Sequence, residues 1–511
     1  MLDSKWIRLI VFGVLQLAIA IIYGTCSHLP SNYRTECFTN ENTKHCFDEF
    51  EGYKQISTYF GNYSLALSGF GILYTLFKDH SFAALATVLF GYFVIVEWGF
   101  LTMAFFYESL RRREFIDNNE HRRFFDIKIT GDELFRVSAG PAAAIFISYG
   151  ALIGTINIPQ FLVMIFIECI IYSLNYYLDM LDKNITITDI AGVTTIHTFG
   201  ALFGAGCTFI LNRGKTEKKI QPNFISSFVA IYSAYEIFSN CRNGINWIHE
   251  DNDDLIATIR GHQYRVHAYN IYPITYTYAV IGSVIGMFGT SLFFNKGTLK
   301  AEELLYSTIC GTLVIGNIAG WMEYPIFGFI FGMAGAIICS LCFKYLKPIL
   351  SQKLKYYDSL GILYFHGIPA ILGSIITAIR IASLSGSGWE LVTRVGQQDV
   401  KIELAEHFIP QMQGYDEEGE QETERIGKRK VGGQAGFQLL AEILTMLFAL
   451  AGGVGAGFLM NLSIWGKVES DSTDIISRDC SYYYFYIPET GKYKVKKIGT
   501  RERIDYGYNA S

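Results

Sequence analysis

Apolar residues gather in runs of about twenty along most of this chain, separated by short polar stretches. A run of that length spans the hydrocarbon of a bilayer as one helix. The pattern predicts spans at roughly 7–24, 57–77, 81–107, 136–156, 159–180, 187–211, 221–240, 272–294, 301–321, 324–346, 360–383 and 433–463, about twelve in all. The least regular is 301–321, which opens on Glu302 and Glu303. Lys5 and Arg8 stand before the core of the first span, and small residues lie near Gly24 and Cys26, as in a cleaved leader. Its core is long and no A-x-A site follows, so we expect a retained helix.

Two of these spans carry ionisable residues in an otherwise apolar setting. "TDIAGVTTIHTFGALFG", residues 188–204, sets Asp189 eight positions before His197, and "YDSLGILYFHGIPAILG", residues 357–373, sets Asp358 eight positions before His366. An aspartate in a helix's first turn caps free N–H groups and suits the positive end of the dipole. Eight residues of straight helix would then carry the histidine about 12 Å toward mid-membrane. An ionisable group at that depth faces protein or a water path. One such histidine is read equally well as a packing residue. Two at the same spacing, in corresponding segments of two halves, point to a repeat with a path between its copies.

Composition narrows the class. Half of the 511 residues are hydrophobic and 15% are aromatic, so a soluble multidomain chain is excluded. The net charge of −5 leaves no footprint for nucleic acid. Basic residues concentrate in "NRGKTEKK", "FKYLKPILSQKLK" and "GKYKVKK", which puts those segments and the N-terminus on the cytosolic side. "ESLRRREFIDNNEHRRFFDIK" falls outside against this trend, with its bases nearly balanced by acids. Long outer loops are expected at 25–56, 241–271 and 384–432, the last holding a solvated charge run. Cys26, Cys37 and Cys46 share the first loop, and their pairing is undecidable. "CSLC" lies inside a span and reads as packing. No metal site, cofactor motif, nucleophile–base pair or phosphate loop is present, so an enzyme is not expected. Asn62 and Asn184 stand in sequons, and only Asn184 is placed outside to accept sugar. Gly200 with Gly204, Gly328 with Gly332, and Gly453 with Gly457 have the spacing that lets helices approach closely.

The chain resembles the rhesus (Rh) branch of the ammonium transporter family. The resemblance rests first on "DIAGVTTIHTFGALFG" and "DSLGILYFHGIPAILG", and further on "AAAIFISYGALIG", "FIECIIYSLNYYLDML" and "LSIWGKVESDSTDIISRDCSYYYFYIP". It covers most of residues 45–490. It implies an all-α polytopic protein with an inverted 5+5 repeat, an additional N-terminal helix and an extra C-terminal helix. It also implies a homotrimer with a narrow apolar pore through each subunit for ammonia or ammonium. On this resemblance His197 and His366 are the twin pore histidines, Asp189 and Asp358 their paired acids, and Glu168 a supporting acid. Glu97 stands where a glutamine often precedes Trp98. The domains would be 1–56, an N-terminal helix and outer loop; 57–463, the transporter body; and 464–511, a cytosolic tail.

The pore mouth departs from the family. The first of two stacked gate rings falls at Gly140, with Phe135 and Phe146 nearby, and the second near Ser233, flanked by Tyr232 and Tyr235. We expect Phe146 or Tyr232 to fill the gap that Gly140 leaves. Glu236 and Arg242 either pair across the end of the seventh span or mark the water boundary. Glu323, Tyr324 and Pro325 replace an isoleucine–histidine–proline pattern. The alternative function is therefore a structural or scaffold subunit that has lost conduction and uses its long outer loops for protein partners. The membrane is expected to be the plasma membrane or that of an organelle.

Overall fold

The computed structural model describes residues 4–28, 69–76, 81–115, 127–128, 131–181, 185, 187–212, 224–241, 255–259, 262–265, 268–322, 324–384, 390–395, 398–403, 412–415, 421–424 and 431–465. Asn62, Asn184, Cys37, Cys46, Arg242, Glu323 and the tail after residue 465 lie outside the described residues, as do the side chains of Phe135, Tyr235 and Glu236.

The body is helical, as backbone groups in hydrocarbon require. In chain order the principal helices are α1 (Ser4–Cys26), α2 (Ser81–Phe115), α3 (Gly131–Gly150), α4 (Ile158–Tyr176), α5 (Phe199–Leu211), α6 (Phe224–Cys241), α7 (Ala268–Phe294), α8 (Ala301–Leu305), α9 (Ile309–Ile315), α10 (Ile326–Leu341), α11 (Lys347–Leu354), α12 (Ile368–Leu384) and α13 (Val431–Met460). Among the described residues seven helical segments are long and apolar enough to cross a membrane. The chain is an integral membrane protein. The irregular 301–321 region is broken into α8, α9 and a short 3-10 turn at Ala319–Trp321. Outside the helical body, short strands join the second and third long loops. They form one antiparallel sheet in the order His262–Arg265, Leu255–Ile259, Glu390–Val395, Gln398–Glu403.

One side of α7 carries Ile274, Tyr278, Ile281, Ile285, Phe288 and Leu292, all exposed and three or four residues apart. Its other side packs on α10 through glycines that admit backbone. A Cβ on Gly328 would stand 2.3 Å from Thr275 O, and one on Gly332 2.2 Å from Ala279 O. A Cβ on Gly200 would stand 2.5 Å from Ala144 O of α3, and one on Gly204 2.8 Å from Ser148 Cα. A Cβ on Gly453 would stand 2.1 Å from Phe203 O of α5. All three glycine pairs singled out by spacing thus sit at helix crossings.

Gly332→Ala is expected to destabilise the protein by about 1–3 kcal/mol, because the obstructing atom is backbone and cannot rotate away. Gly289→Ala on α7, where nothing lies within 4 Å, should leave stability unchanged. Thermal unfolding of the two variants in detergent checks the contrast.

The start of α4 is fixed by a capping box. Gln160 N donates to Asn157 Oδ1 at 2.9 Å and Asn157 N to Gln160 Oε1 at 3.0 Å. The same two side chains reach the end of α13, Gln160 Nε2 donating to Met460 O at 2.9 Å and Asn157 Nδ2 to Trp465 O at 3.1 Å. This ties the last helix to α4, and so to the elements that carry the histidines.

Candidate functional site

The two Asp–His elements have one local design. In the first, Asp189 lies outside any helix, Gly192 follows three residues later at φ 62°, and a π-helix runs over Val193–Thr198 with His197 inside it. In the second, Asp358 is followed at the same distance by Gly361 at φ 75°, and a π-helix over Leu363–Gly367 carries His366. The left-handed backbone at both glycines is open to residues without a Cβ. A Cβ at Gly192 would also meet Ile196 Cδ1 at 2.5 Å. Asp189 and Asp358 therefore do not begin straight helices, as the sequence reading expected. Each caps a turn, and the histidine stands five residues past the glycine, on a wider π turn of the kind common at functional sites.

The caps are well satisfied. Asp189 Oδ1 accepts from Thr194 N and from Asn317 Nδ2, both at 3.0 Å. Its Oδ2 accepts from Thr195 N at 2.8 Å and Thr195 Oγ1 at 2.7 Å. Asp358 Oδ1 accepts from Gly361 N at 2.9 Å, and its Oδ2 from Leu363 N at 2.8 Å and Tyr356 Oη at 3.3 Å. Both carboxyls are buried, and these donors offset the cost of placing them there.

The structure brings the two histidines together. Nδ1 of His197 lies 3.0 Å from Nδ1 of His366. The rings are nearly parallel at 11° with centroids 5.3 Å apart, the separation of two rings meeting edge to edge through those nitrogens. Tyr306 stands edge-on to the His366 ring at 5.5 Å and stacks on Phe365 at 4.6 Å, which walls the pair with aromatic carbon. A hydrogen bond between two Nδ1 atoms needs one donor and one acceptor. Between two neutral rings it follows that one Nε2 is bare and the other carries a proton. The pair then offers a guest one acceptor and one donor. Ammonia, with three N–H groups and a lone pair, can use either, whereas an alkali cation finds one lone pair in an apolar wall.

The other sequence candidates spread more widely. Glu168 is buried in α4, where Ser148 Oγ lies 2.6 Å from its Oε1 and 2.8 Å from Gly200 O. The single hydroxyl proton serves one of these at a time, and Glu168 Oε2 has no partner. Ser233 is buried and donates to Gly69 O.

The space beside Gly140 is filled by neither expected ring. Phe146 is buried against Phe70, with centroids 5.8 Å apart, and lies six residues or about 9 Å farther along α3. Tyr232 is 58% exposed and faces away from the core. Tyr172 of α4 takes the place instead. Its hydroxyl would stand 2.4 Å from a Cβ on Gly140, and its ring packs edge-on against Phe199 at 5.4 Å. Helix crossing decided this, and distance along one chain could not reveal it. Gly140→Ala is expected to destabilise the protein by about 1–3 kcal/mol. Tyr172→Phe in the same chain should recover much of the loss, since the next atom, Tyr172 Cζ, is 3.3 Å away. A thermal double-mutant cycle reads the coupling.

Sequence reasoning missed Asn317, Tyr306, Tyr172 and the two turn glycines. A repeated D-x-x-G inside the repeated Asp–His spacing was available as a signal for the glycines.

The assembly of buried helices around twin capped histidines defines a polytopic membrane protein with a polar pair in an apolar interior. The Ammonium Transporter Family model matches residues 70–230 and 258–482, and the chain belongs to that family. Ammonium transporter Rh type C of Homo sapiens is 25% identical over 505 residues, covering 96% of this chain and 94% of the relative. Ammonium transporter Rh type B of Danio rerio is 24% identical over 514 residues, covering 99% of each. Among solved structures, that of Nitrosomonas europaea Rh50, described with the mechanism of conduction by the Rhesus family of channels, has a TM-score of 0.60 at 20% identity, covering 84% of this chain and 93% of that one. A sensor Amt protein has a TM-score of 0.59 at 12% identity, covering 84% and 97%. The fold is the multi-helix fold of the Amt and Rh proteins.

Proposed function

We propose that this chain conducts ammonia or ammonium through a narrow apolar path in each subunit, lined by His197 and His366. The observation that carries this reading is the 3.0 Å contact between their Nδ1 atoms, in an interior walled by Tyr306 and Phe365. Asp189 and Asp358 set the turns that aim the two rings, and Glu168 supports the helix crossing behind the first. The cation loses its water at high cost on entering such a path, while the neutral amine does not. A histidine pair can hold the amine and pass a proton.

In this reading residues 57–463 form the transporter body, 1–56 an N-terminal helix and outer loop, and 464–511 a cytosolic tail. The assembly is a homotrimer in the plasma membrane or that of an organelle, with Asn184 an outer site for sugar. The exposed apolar faces, such as that of α7, suit lipid or neighbouring subunits.

A second reading has its own support. Tyr172 fills the space beside Gly140, and a mouth closed by a buried ring suits a scaffold whose long outer loops meet protein partners. The two readings part in purified protein in liposomes. Conduction predicts an ammonium-driven change of internal pH that persists in a large excess of potassium. A rate equally reduced by potassium removes the selectivity this pair was argued to give.

A further inference from the structure

Two buried polar side chains of α13, Gln438 and Glu442, stand one turn apart on one helix face and meet the two ends of the first histidine element. Gln438 pairs twice with the backbone of Thr188, the residue before Asp189. Its Nε2 donates to Thr188 O at 3.0 Å, and its Oε1 accepts from Thr188 N at 3.2 Å. Glu442 Oε1 accepts from Oγ1 of Thr198, the residue after His197, at 2.9 Å. The hydroxyls of Thr194 and Ser374 lie beside the same carboxyl and meet each other at 3.3 Å. Ser374 belongs to α12, which continues the π-helix of His366. So α13 grips the first element before its aspartate and after its histidine, where the helix leading from the second element also arrives.

Four residues of α13 rise about 6 Å, whereas a straight helix from Thr188 to Thr198 would span about 15 Å. The pair is therefore matched to the compact element, with its turn at Gly192 and its π-helix. The bond at Thr198 also protects that π-helix. A threonine hydroxyl in a helix, given no other acceptor, turns back on the carbonyl four residues before it. Thr277, Thr290 and Thr377 do so here, on Pro273 O, Gly286 O and Gly373 O. For Thr198 that carbonyl is Thr194 O, which already accepts the π-type bond from Phe199 N. Glu442 draws the hydroxyl away and leaves Thr194 O to the backbone. His197 sits inside the turn whose width this decides. The second element is held by other means, Ser359 N donating to Ala151 O at 3.1 Å and Ser359 Oγ to Ile153 O at 3.0 Å.

We propose that Glu442, with Gln438, is a positioning residue for His197: it accepts the Thr198 hydroxyl, keeps it off Thr194 O and so preserves the π turn that presents the His197 ring to His366. The role needs an acceptor at Thr198 and not a charge. It rests on the transport reading for its consequence in flux alone; the ring geometry is read without it.

The test is solid-state NMR of the full chain in lipid bilayers, with its ten histidines labelled with nitrogen-15. The signal of the hydrogen-bonded Nδ1 pair is the one that His366→Ala removes. Glu442→Leu should lose that signal, and Glu442→Gln, which keeps an acceptor for Thr198, should retain it. Thr198→Val added to Glu442→Leu takes away the competing hydroxyl and should bring the signal back. A Glu442→Leu spectrum matching the natural one, a Glu442→Gln spectrum matching Glu442→Leu, or a double variant without recovery overturns the proposal. Should Glu442→Leu fail to fold, the double variant decides: it must fold and carry the pair signal, and a double variant that folds no better overturns the role. In liposomes, ammonium flux through Glu442→Leu should fall toward that of His366→Ala and return with Glu442→Gln. Flux in the natural chain with an unaltered pair signal in Glu442→Leu removes this role alone. A natural chain without flux, whose pair signal still follows Glu442, removes the transport reading and leaves the positioning role.

Discussion

Alanine at His366 is expected to lower ammonium flux by about one to two orders of magnitude in a chain that still folds. The side chain is buried and its Nδ1 meets His197 at 3.0 Å, so its loss leaves the partner ring without a mate and without a fixed orientation. Which nitrogen carries the proton is then no longer set by the pair. Glutamine at the same place restores polar contact without a ring that can both accept and pass a proton, and should recover only part of the rate. Stopped-flow measurement of internal pH in liposomes, with protein density matched and folding checked by thermal unfolding, reads both variants. A His366→Ala rate equal to that of the natural chain would show that the pair does not control passage.

Asp189→Ala should be the most damaging single change in the site. It deprives Thr194 N, Thr195 N, Thr195 Oγ1 and Asn317 Nδ2 of their acceptor in a buried turn. Buried donors left unpaired cost about 1–3 kcal/mol each, and a total of about 3–5 kcal/mol is expected. Asp358→Ala removes the acceptor of three donors rather than four and should cost less. Asp189→Asn keeps the shape but turns an N–H₂ toward groups that are themselves donors, so it should fall between the natural chain and alanine. Thermal unfolding in detergent ranks the three. An order with Asp358→Ala as the worst would mean that the second turn, not the first, holds the histidines in register.

Much of the helical body was legible in the apolar runs, because hydrocarbon thickness dictates their length and the backbone has few other ways to satisfy itself there. The two Asp–His elements were legible because a repeated polar spacing in apolar sequence has few other causes. Their internal shape was not. A straight helix from aspartate to histidine is the simplest reading of eight residues, yet Gly192 and Gly361 turn the chain, and each histidine lies on a π turn begun beyond them.

Contacts between helices were hidden for a different reason. Tyr172 reaches Gly140 across a helix crossing, Asn317 reaches Asp189 from 128 residues away, and Glu442 meets Thr198 from 244 away. Periodicity along one helix places a residue on a face but does not name the neighbour. Asn175 meets Thr445 from 270 residues away, a contact that exists only once α4 and α13 are packed together.

The claim that the histidine pair forms a conducting path is tested most directly by the time course of internal pH after an ammonium gradient is imposed on liposomes. Three preparations are compared: empty vesicles, vesicles with the natural chain, and vesicles with His197→Ala and His366→Ala combined. The proposed pore predicts a fast change with the natural chain and a change at the rate of empty vesicles with the double variant. A natural chain that is folded yet no faster than empty vesicles, or a double variant as fast as the natural chain, would contradict it.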